Sequence, residues 1–152
     1  MAPRNSSLLE ELNRNFMALV PHNRALGLEI VTLSDRFASM RLPYRDELVG
    51  NPETGVLHGG AITALMDACA GGAVFMGLPE PAPIATLDLR IDYLRPATPG
   101  QAVVAEATCT KTTKNVAFVR GLAFHADRED PVASCAGTFM LSTKGGGREP
   151  GS

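Results

Sequence analysis

The chain has 152 residues, of which 45% are hydrophobic, enough to bury the core of one compact domain. Its formal net charge is −2 at pH 7, with both signs evenly scattered, so the basic stripe needed to bind nucleic acid is missing and we expect a small-molecule partner. No uninterrupted apolar run approaches the roughly 20 residues of a membrane span, and the first residues lack a signal-peptide core, which predicts a cytoplasmic protein without a membrane partner.

The first third of the chain predicts a short helix, a hairpin and a long loop. Residues 6–19 carry apolar side chains at helical spacing, namely Leu8, Leu9, Leu12, Phe16 and Leu19. Residues 26–33 and 37–42 are predicted to form two strands, split by Ser34 and Asp35. The segment 43–57 contains several glycines and prolines, and loops of this kind often bind ligands.

A single long helix is predicted for residues 59–76, which contain no proline. Small residues recur along it at helical spacing, so a sheet can approach it closely: Ala61, Ala64, Ala68, Gly71 and Gly72. From Thr86 the period changes to two, with Leu87, Leu89, Ile91 and Tyr93 on one face and Thr86, Asp88, Arg90 and Asp92 on the other. Three further strands are predicted at 102–110, 116–125 and 132–142.

This order of elements predicts an α+β fold. Four consecutive strands predict an antiparallel meander, and the sheet must wrap around the one long central helix, with a short N-terminal helix in addition. That layout is the hotdog fold. We expect residues 1–24 to form the N-terminal helix and lead-in, 25–143 the hotdog domain, and 144–152 a disordered tail.

The three cysteines, Cys69, Cys109 and Cys135, lie far apart in apolar stretches. This spacing favours positions in the core over a disulfide framework or a metal site. The sequence has no cluster of metal ligands, so neither a metal nor a redox cofactor is expected.

Residues 51–67, with the sequence NPETGVLHGGAITALMD, carry the most chemical information. His58, Gly59 and Gly60 lie where the loop becomes the helix, so unpaired backbone N–H groups and the positive end of the helix dipole are available to polarise an oxygen. Asp67 follows among apolar neighbours, where a carboxylate must be compensated or used.

These residues resemble a known family. Asn51, Gly55, His58-Gly59-Gly60 and Asp67, followed by TLDLRIDYLRPA at 86–97, are similar to the hotdog-fold acyl-CoA thioesterases of the PaaI-like and THEM2-like group. The resemblance covers roughly residues 26–141. It implies an acyl-CoA thioesterase, with coenzyme A as part of the substrate and no other cofactor.

The resemblance also implies roles for individual residues. Asp67 matches the general base or nucleophile, and Gly59 matches the residue whose N–H polarises the thioester carbonyl. Asn51 and His58 match side chains that shape the pocket and help position water or substrate, and Thr86 stands where some relatives have a serine that orients the attacking water. Substrate and coenzyme A binding is implied for Gly60, Asp88, Tyr93, Lys111, Thr112, Thr113, Lys114, Asn115 and Val116. The acyl pocket is implied to be lined at a subunit interface by Met66, Ala70 and Phe75.

Helix geometry requires two chains for one site. At about 1.5 Å per residue, Asp67 lies roughly 12 Å along the helix from Gly59, yet both must reach one carbonyl group. Two chains paired about a two-fold axis with antiparallel helices would supply one group each. We therefore expect a homodimer, and the resemblance adds a homotetramer built from two dimers as the alternative assembly.

Other interpretations remain open for the same residues. Asp67 is also compatible with a structural buried acid, His58 with a helix cap, Thr86 with an ordinary strand residue, and Lys111 and Lys114 with solvated charges. His22 and His125 receive no role. A noncatalytic acyl-CoA binding protein and an acyl-thioester hydratase or dehydratase are the alternative functions, although the histidine and acid that the hydratases pair are not found at a suitable spacing.

Overall fold

The structure is a computed structural model that describes residues 10–11, 13–15 and 19–141. The two helices with defined bounds are α1 (Pro21–Leu26) and α2 (Gly59–Met76), and a 3-10 turn covers Asp46–Leu48. The strands are β1 (Glu29–Ser34), β2 (Phe37–Leu42), β3 (Val49–Asn51), β4 (Val56–Leu57), β5 (Ile84–Tyr93), β6 (Val103–Thr112), β7 (Val116–Phe124) and β8 (Ala133–Leu141).

At the N-terminus, the described residues 10–11, 13–15 and 19 are helical, as predicted for 6–19, and the rest of that prediction lies outside the described residues. The expected disordered tail at 144–152 also lies outside them, and the domain boundaries stay a prediction. The expected strand at 26–33 is wrong at its start, because Leu26 ends α1 and β1 begins at Glu29. Pro21 at the first turn and Gly27 in the left-handed conformation (φ 70°) are standard helix-end signals that could have predicted α1.

The main sheet is antiparallel and has six strands in the order β1-β2-β6-β7-β8-β5. The hotdog layout is confirmed, but the four-strand meander is wrong for β5, which pairs with β8 while β6 pairs with β2. The segment after β5 is therefore a crossover and not a hairpin turn. His125 secures it: Nε2 accepts a hydrogen bond from the Thr98 N–H (2.8 Å), and Nδ1 lies 2.7 Å from the Ala102 carbonyl oxygen.

The sheet wraps around α2, as the small residues of that helix predict. A Cβ atom on Gly72 would lie 3.0 Å from Met40 Cε and 3.3 Å from Ala38 Cβ, so only glycine permits this approach without adjustment. Within the described chain, α2 alone has the length and mean hydropathy (1.4 over 18 residues) of a membrane-spanning helix. Because the sheet packs along it, this apolar character is that of a core helix.

The cysteines are core residues, as predicted: Cys69, Cys109 and Cys135 are all buried and free. Cys69 lies on the buried face of α2, where its single S–H has two carbonyl oxygens within reach as acceptors, those of Ala38 (3.3 Å) and Ala105 (3.5 Å). Burial raises the pKa of the Cys69 thiol to about 12. Burial also raises the pKa of the Cys135 thiol.

Candidate active site

The start of α2 offers one free N–H group where the sequence predicted three. His58 is the N-cap, and its Nδ1 accepts the Gly60 N–H at 2.8 Å. The His58 N–H itself donates to the Leu48 carbonyl oxygen at 2.8 Å. The availability expected of His58 and Gly60 is therefore wrong, since both groups have partners. The Gly59 N–H meets no acceptor among the described residues, so it is the group that remains for a ligand.

Two glycines fit tightly around this helix start. A Cβ atom on Gly50 would lie 2.8 Å from His58 Cα, so the β3–β4 hairpin presses directly on the cap residue. A Cβ atom on Gly59 would lie 3.2 Å from both Cζ and the hydroxyl oxygen of Tyr93. The Tyr93 hydroxyl donates to the Gly59 carbonyl oxygen (2.7 Å) and accepts from Thr63 Oγ1 (2.5 Å). Tyr93 thus fixes the Gly59–Gly60 peptide, next to the free Gly59 N–H. The contact of Tyr93 with substrate stays a prediction.

Asn51 is exposed at the end of β3, next to Gly50. Its Oδ1 accepts the Glu53 N–H at 3.0 Å, and its main-chain oxygen accepts the N–H groups of Thr54 (3.2 Å) and Gly55 (2.8 Å). These bonds fix the loop ahead of α2. Within the described chain the Asn51 side-chain nitrogen has no acceptor, so the Asn51 amide retains its donors.

Asp67 and Thr86 form a hydrogen-bonded pair, in which Thr86 Oγ1 donates to Asp67 Oδ1 at 2.8 Å. Asp67 is half-buried and lies on the face of α2 turned away from the sheet core, whereas Leu65, Met66 and Cys69 point into the core. The expectation that Asp67 is enclosed by its apolar sequence neighbours is therefore wrong. Helical geometry turns those neighbours toward the sheet and leaves the carboxylate at a surface cleft.

A β-bulge makes the pair possible. The β5–β8 register shifts between Thr86 and Asp88, so Leu87 has no partner residue in β8. The extra residue reverses the alternation of faces. Thr86 consequently lies on the same side of β5 as Leu89 and Ile91, toward α2. The predicted face shared by Thr86 and Asp88 is wrong for this reason, as is the predicted apolar face position of Leu87, whose exposed fraction is 52%.

Asp67 and Thr86 open into a largely apolar cleft of about 470 Å³, which we call the α2 cleft. Its floor is the outward face of α2, formed by Asp67, Ala68, Gly71, Gly72, Phe75 and Met76. Phe75 therefore lines it, as the resemblance implied, but Met66 and Ala70 do not. Those two side chains are 1% and 0% exposed and pack into the core, because they lie on the opposite side of the helix.

The residues expected to hold coenzyme A are only partly brought together. Asp88, Lys111 and Thr113 line a separate cleft of about 560 Å³ on the outer face of the sheet, together with Arg90 and Arg120. Thr112 lies instead against the turn of the β1–β2 hairpin, where Oγ1 is 3.4 Å from a guanidinium nitrogen of Arg36.

The turn between β6 and β7 is held by hydrogen bonds within the turn and to β8. Thr113 Oγ1 accepts the Val116 N–H (3.1 Å), and the Asn115 carbonyl oxygen accepts the Leu141 N–H (2.8 Å). Lys114 is exposed at the tip. The positive side chains of Arg90 and Arg120, which the sequence interpretation did not single out, become visible as candidates only when the strands are paired.

Comparison with known proteins agrees with this architecture. The thioesterase superfamily profile matches residues 54–132. The chain belongs to the thioesterase superfamily and is a thioester hydrolase. The medium/long-chain acyl-CoA thioesterase YigI of Escherichia coli (strain K12) is 30% identical over 147 residues, which cover 88% of this chain and 93% of YigI.

Two solved structures extend the similarity to the backbone. A Pseudomonas aeruginosa protein is 44% identical, with a TM-score of 0.77 over 88% of this chain and 98% of that one. A variant of the phenylacetic acid degradation protein PaaI of Thermus thermophilus is 27% identical, with a TM-score of 0.70 over 80% of this chain and 98% of the other. The resemblance to the PaaI-like group is thereby confirmed.

Proposed function

We propose that this chain hydrolyses acyl-CoA thioesters of small or medium acyl or aryl groups to the free acid and coenzyme A. The observation that carries the proposal is the hydrogen-bonded Asp67–Thr86 pair at the wall of the apolar α2 cleft. Such a cleft suits an acyl group, and a carboxylate beside it suits the activation of water. The name of YigI, a medium/long-chain acyl-CoA thioesterase, favours alkyl over aryl groups.

Asp67 acts as general base toward water or as nucleophile on the thioester carbon. The Thr86 hydroxyl donates its one hydrogen bond to Asp67 Oδ1, so the Thr86 oxygen remains available to accept a hydrogen bond from water. A water molecule that donates one proton to Asp67 Oδ2 and the other to Thr86 Oγ1 keeps a lone pair for attack. Thr86 in this way orients the nucleophile while it fixes the carboxylate.

Gly59 stabilises the charge that develops on the carbonyl oxygen. Its N–H is the free donor at the start of α2, and it lies at the positive end of the helix dipole. Two neighbouring residues assist this donor. His58 caps the adjacent Gly60 N–H, and Asn51, at the end of β3, adds free amide hydrogens beside the helix start.

The complete site combines two copies of this chain. Asp67 and Gly59 lie on one continuous helix, roughly 12 Å apart along its axis, so a single copy cannot bring both to one carbonyl. In a dimer with antiparallel α2 helices, Gly59 of one protomer faces Asp67 of the other. The exposed edge strand β5, which carries the half-exposed Leu87 and Tyr93, supports pairing with a second copy. A pair of such dimers gives the tetramer.

Coenzyme A binding is proposed for the β6–β7 turn and its surroundings. Lys111 and Lys114 supply positive charge for the phosphates, and Lys111 shares its cleft with Asp88 and Thr113. Gly60, Tyr93, Thr112, Asn115 and Val116 remain proposed contacts of the substrate.

The test is thiol release from a panel of acyl-CoA thioesters by the wild-type chain and by Asp67→Ala. Hydrolysis by the wild type that is lost in Asp67→Ala supports the proposal. Tight binding of acyl-CoA without turnover by the wild type would instead indicate a noncatalytic binding protein, and hydration of an enoyl-CoA without thiol release would indicate a hydratase.

A further inference from the structure

The α2 cleft connects the two edges of the six-stranded sheet. One wall carries Ile84 and Thr86 of β5, and the opposite wall carries Ile30 and Leu33 of β1. These strands are the two outermost in the sheet order, so the curled sheet brings both edges to the outward face of α2. The cleft therefore runs across the helix from the Asp67–Thr86 pair toward β1.

Two adjacent glycines form the crossing point, which we call the Gly71–Gly72 saddle. A Cβ atom on Gly71 would lie toward the β5 side, 3.6 Å from Phe139 Cε1 and 3.8 Å from Ile84 Cδ1. A Cβ atom on Gly72 would lie toward the opposite side, against Met40 and Ala38 of β2 and 3.9 Å from Leu33 Cδ2 of β1. Glycine weakens a helix interior, so adjacent glycines in an 18-residue helix need a packing reason. At Gly71 close packing is not the reason, because a Cβ atom there would make only ordinary contacts. An open passage over the helix is a reason that fits.

The far wall contains one buried polar group. Asn23 of α1 is 7% exposed and lines the α2 cleft beside Leu19 and Val20. Its side-chain amide forms no hydrogen bond within the described part of the chain. An alkyl chain that reaches this amide displaces water from it without replacing the hydrogen bonds, which is unfavourable.

We propose that an unbranched acyl chain enters the α2 cleft beside Asp67, crosses the Gly71–Gly72 saddle and ends at Asn23. The inference rests on the proposed thioesterase function and adds its chain-length limit. A helix with its side chains is roughly 10 to 12 Å across, and an extended hydrocarbon advances about 1.25 Å per carbon, so the crossing accommodates about 8 to 10 carbons. The helix α1 thereby becomes a specificity element, with Asn23 at the distal limit.

The first experiment measures kcat/KM for straight-chain acyl-CoA substrates from butyryl to myristoyl. For the wild type we expect a rise of about fourfold per methylene up to about 8 to 10 carbons and a plateau beyond. Gly71→Val should lower the ratio of decanoyl to butyryl kcat/KM by about tenfold or more, since its side chain projects into the passage. Gly71→Ala, whose Cβ has only ordinary contacts, should lower the ratio less.

Ala64→Val is the matched control, because Ala64 is half-buried on the same helix but does not line the α2 cleft. It should leave the decanoyl-to-butyryl ratio within about twofold of the wild type. Two results would refute the proposed path over the Gly71–Gly72 saddle. One is a loss of kcat/KM in Gly71→Val and Gly71→Ala that is equal at all chain lengths, and the other is an equal decanoyl-to-butyryl ratio in the Gly71 and Ala64 variants.

The distal limit is tested by Asn23→Leu, which replaces the amide by an apolar side chain of similar size. The ratio of myristoyl to decanoyl kcat/KM should rise by about threefold or more, and an unchanged or lower ratio would overturn the assignment. Dissociation constants of the same acyl-CoA substrates, measured in an Asp67→Asn background, test the same chain-length dependence without turnover. A wild type that hydrolyses no acyl-CoA refutes the proposed function, whereas hydrolysis with ratios insensitive to Gly71 and Asn23 refutes only this inference.

Discussion

Replacing Gly59 by proline removes the proposed oxyanion donor without breaking the helix. Gly59 is the first residue of α2, where proline is well tolerated because its missing N–H has no partner within the helix. The preceding residue, His58, has φ −62° and ψ 132°, the extended conformation that a residue before proline requires. Folding should therefore survive Gly59→Pro, and the N–H is the group that is lost.

The matched control is Gly59→Ala, because any Cβ atom at this position lies 3.2 Å from the Tyr93 ring. Alanine presents that contact and keeps the N–H, so comparison of the two variants isolates the donor. We expect kcat of Gly59→Pro to be about 100- to 1,000-fold below that of Gly59→Ala, the usual cost of losing one oxyanion donor, with little change in KM. Thiol release under saturating acyl-CoA measures this ratio, and thermal unfolding of both variants verifies the fold. Turnover numbers equal within about threefold would refute the role of the Gly59 N–H.

Three further predictions concern the neighbouring groups and the core. Thr86→Val should lower kcat by about tenfold through loss of the hydrogen bond to Asp67, while Thr86→Ser should retain activity; equal losses in both would show that the hydroxyl is not responsible. His58→Ala should lower the free energy of unfolding by about 1 kcal/mol, seen as a Tm lower by about 2 to 4 °C, because the cap on the Gly60 N–H is lost; His58→Asn should keep the Tm, and a drop of the same size there would contradict the capping role. For Cys69, the pKa of about 12 in the folded chain against 9.0 unfolded means that the unfolded state releases a proton first, so stability is lost as pH rises above about 9. Chemical denaturation at pH 8 and pH 10 should show a smaller loss in Cys69→Ala than in the wild type, and an equal loss in both would contradict this linkage.

The sequence predicts the regular parts of this fold because their patterns are local. The helix at Gly59–Met76 follows from helical spacing and the absence of proline, and its bounds are those predicted. The strand at Phe37–Leu42 is likewise bounded as predicted. Strand order is not local, however. Periodicity could not reveal that β5 lies at the sheet edge beside β8, or that the segment after it crosses past β8 and β7 to reach β6.

The candidate site was predicted in its residues but not in its geometry. Alternation from Thr86 to Tyr93 is unbroken in the sequence, so nothing in the pattern reveals that Leu87 is an extra residue or that Thr86 turns toward Asp67. The number of free N–H groups at the start of α2 depends on the rotamer of His58, because its Nδ1 accepts the Gly60 N–H. Of the residues expected to line the acyl cleft, Phe75 does so, but Met66 and Ala70 face the core. Packing decides which face of the helix meets the sheet, and the sequence pattern does not show it.

The shared site is tested most directly by mixing two inactive chains, Asp67→Asn and Gly59→Pro, by co-expression. Random pairing makes about half of the dimers mixed, and each mixed dimer carries one site with both groups intact, so about a quarter of the wild-type activity should return. Each parent expressed alone should stay inactive. Activity of the mixture that remains at the level of the parents, with mixed dimers verified by two different affinity tags, would contradict the account.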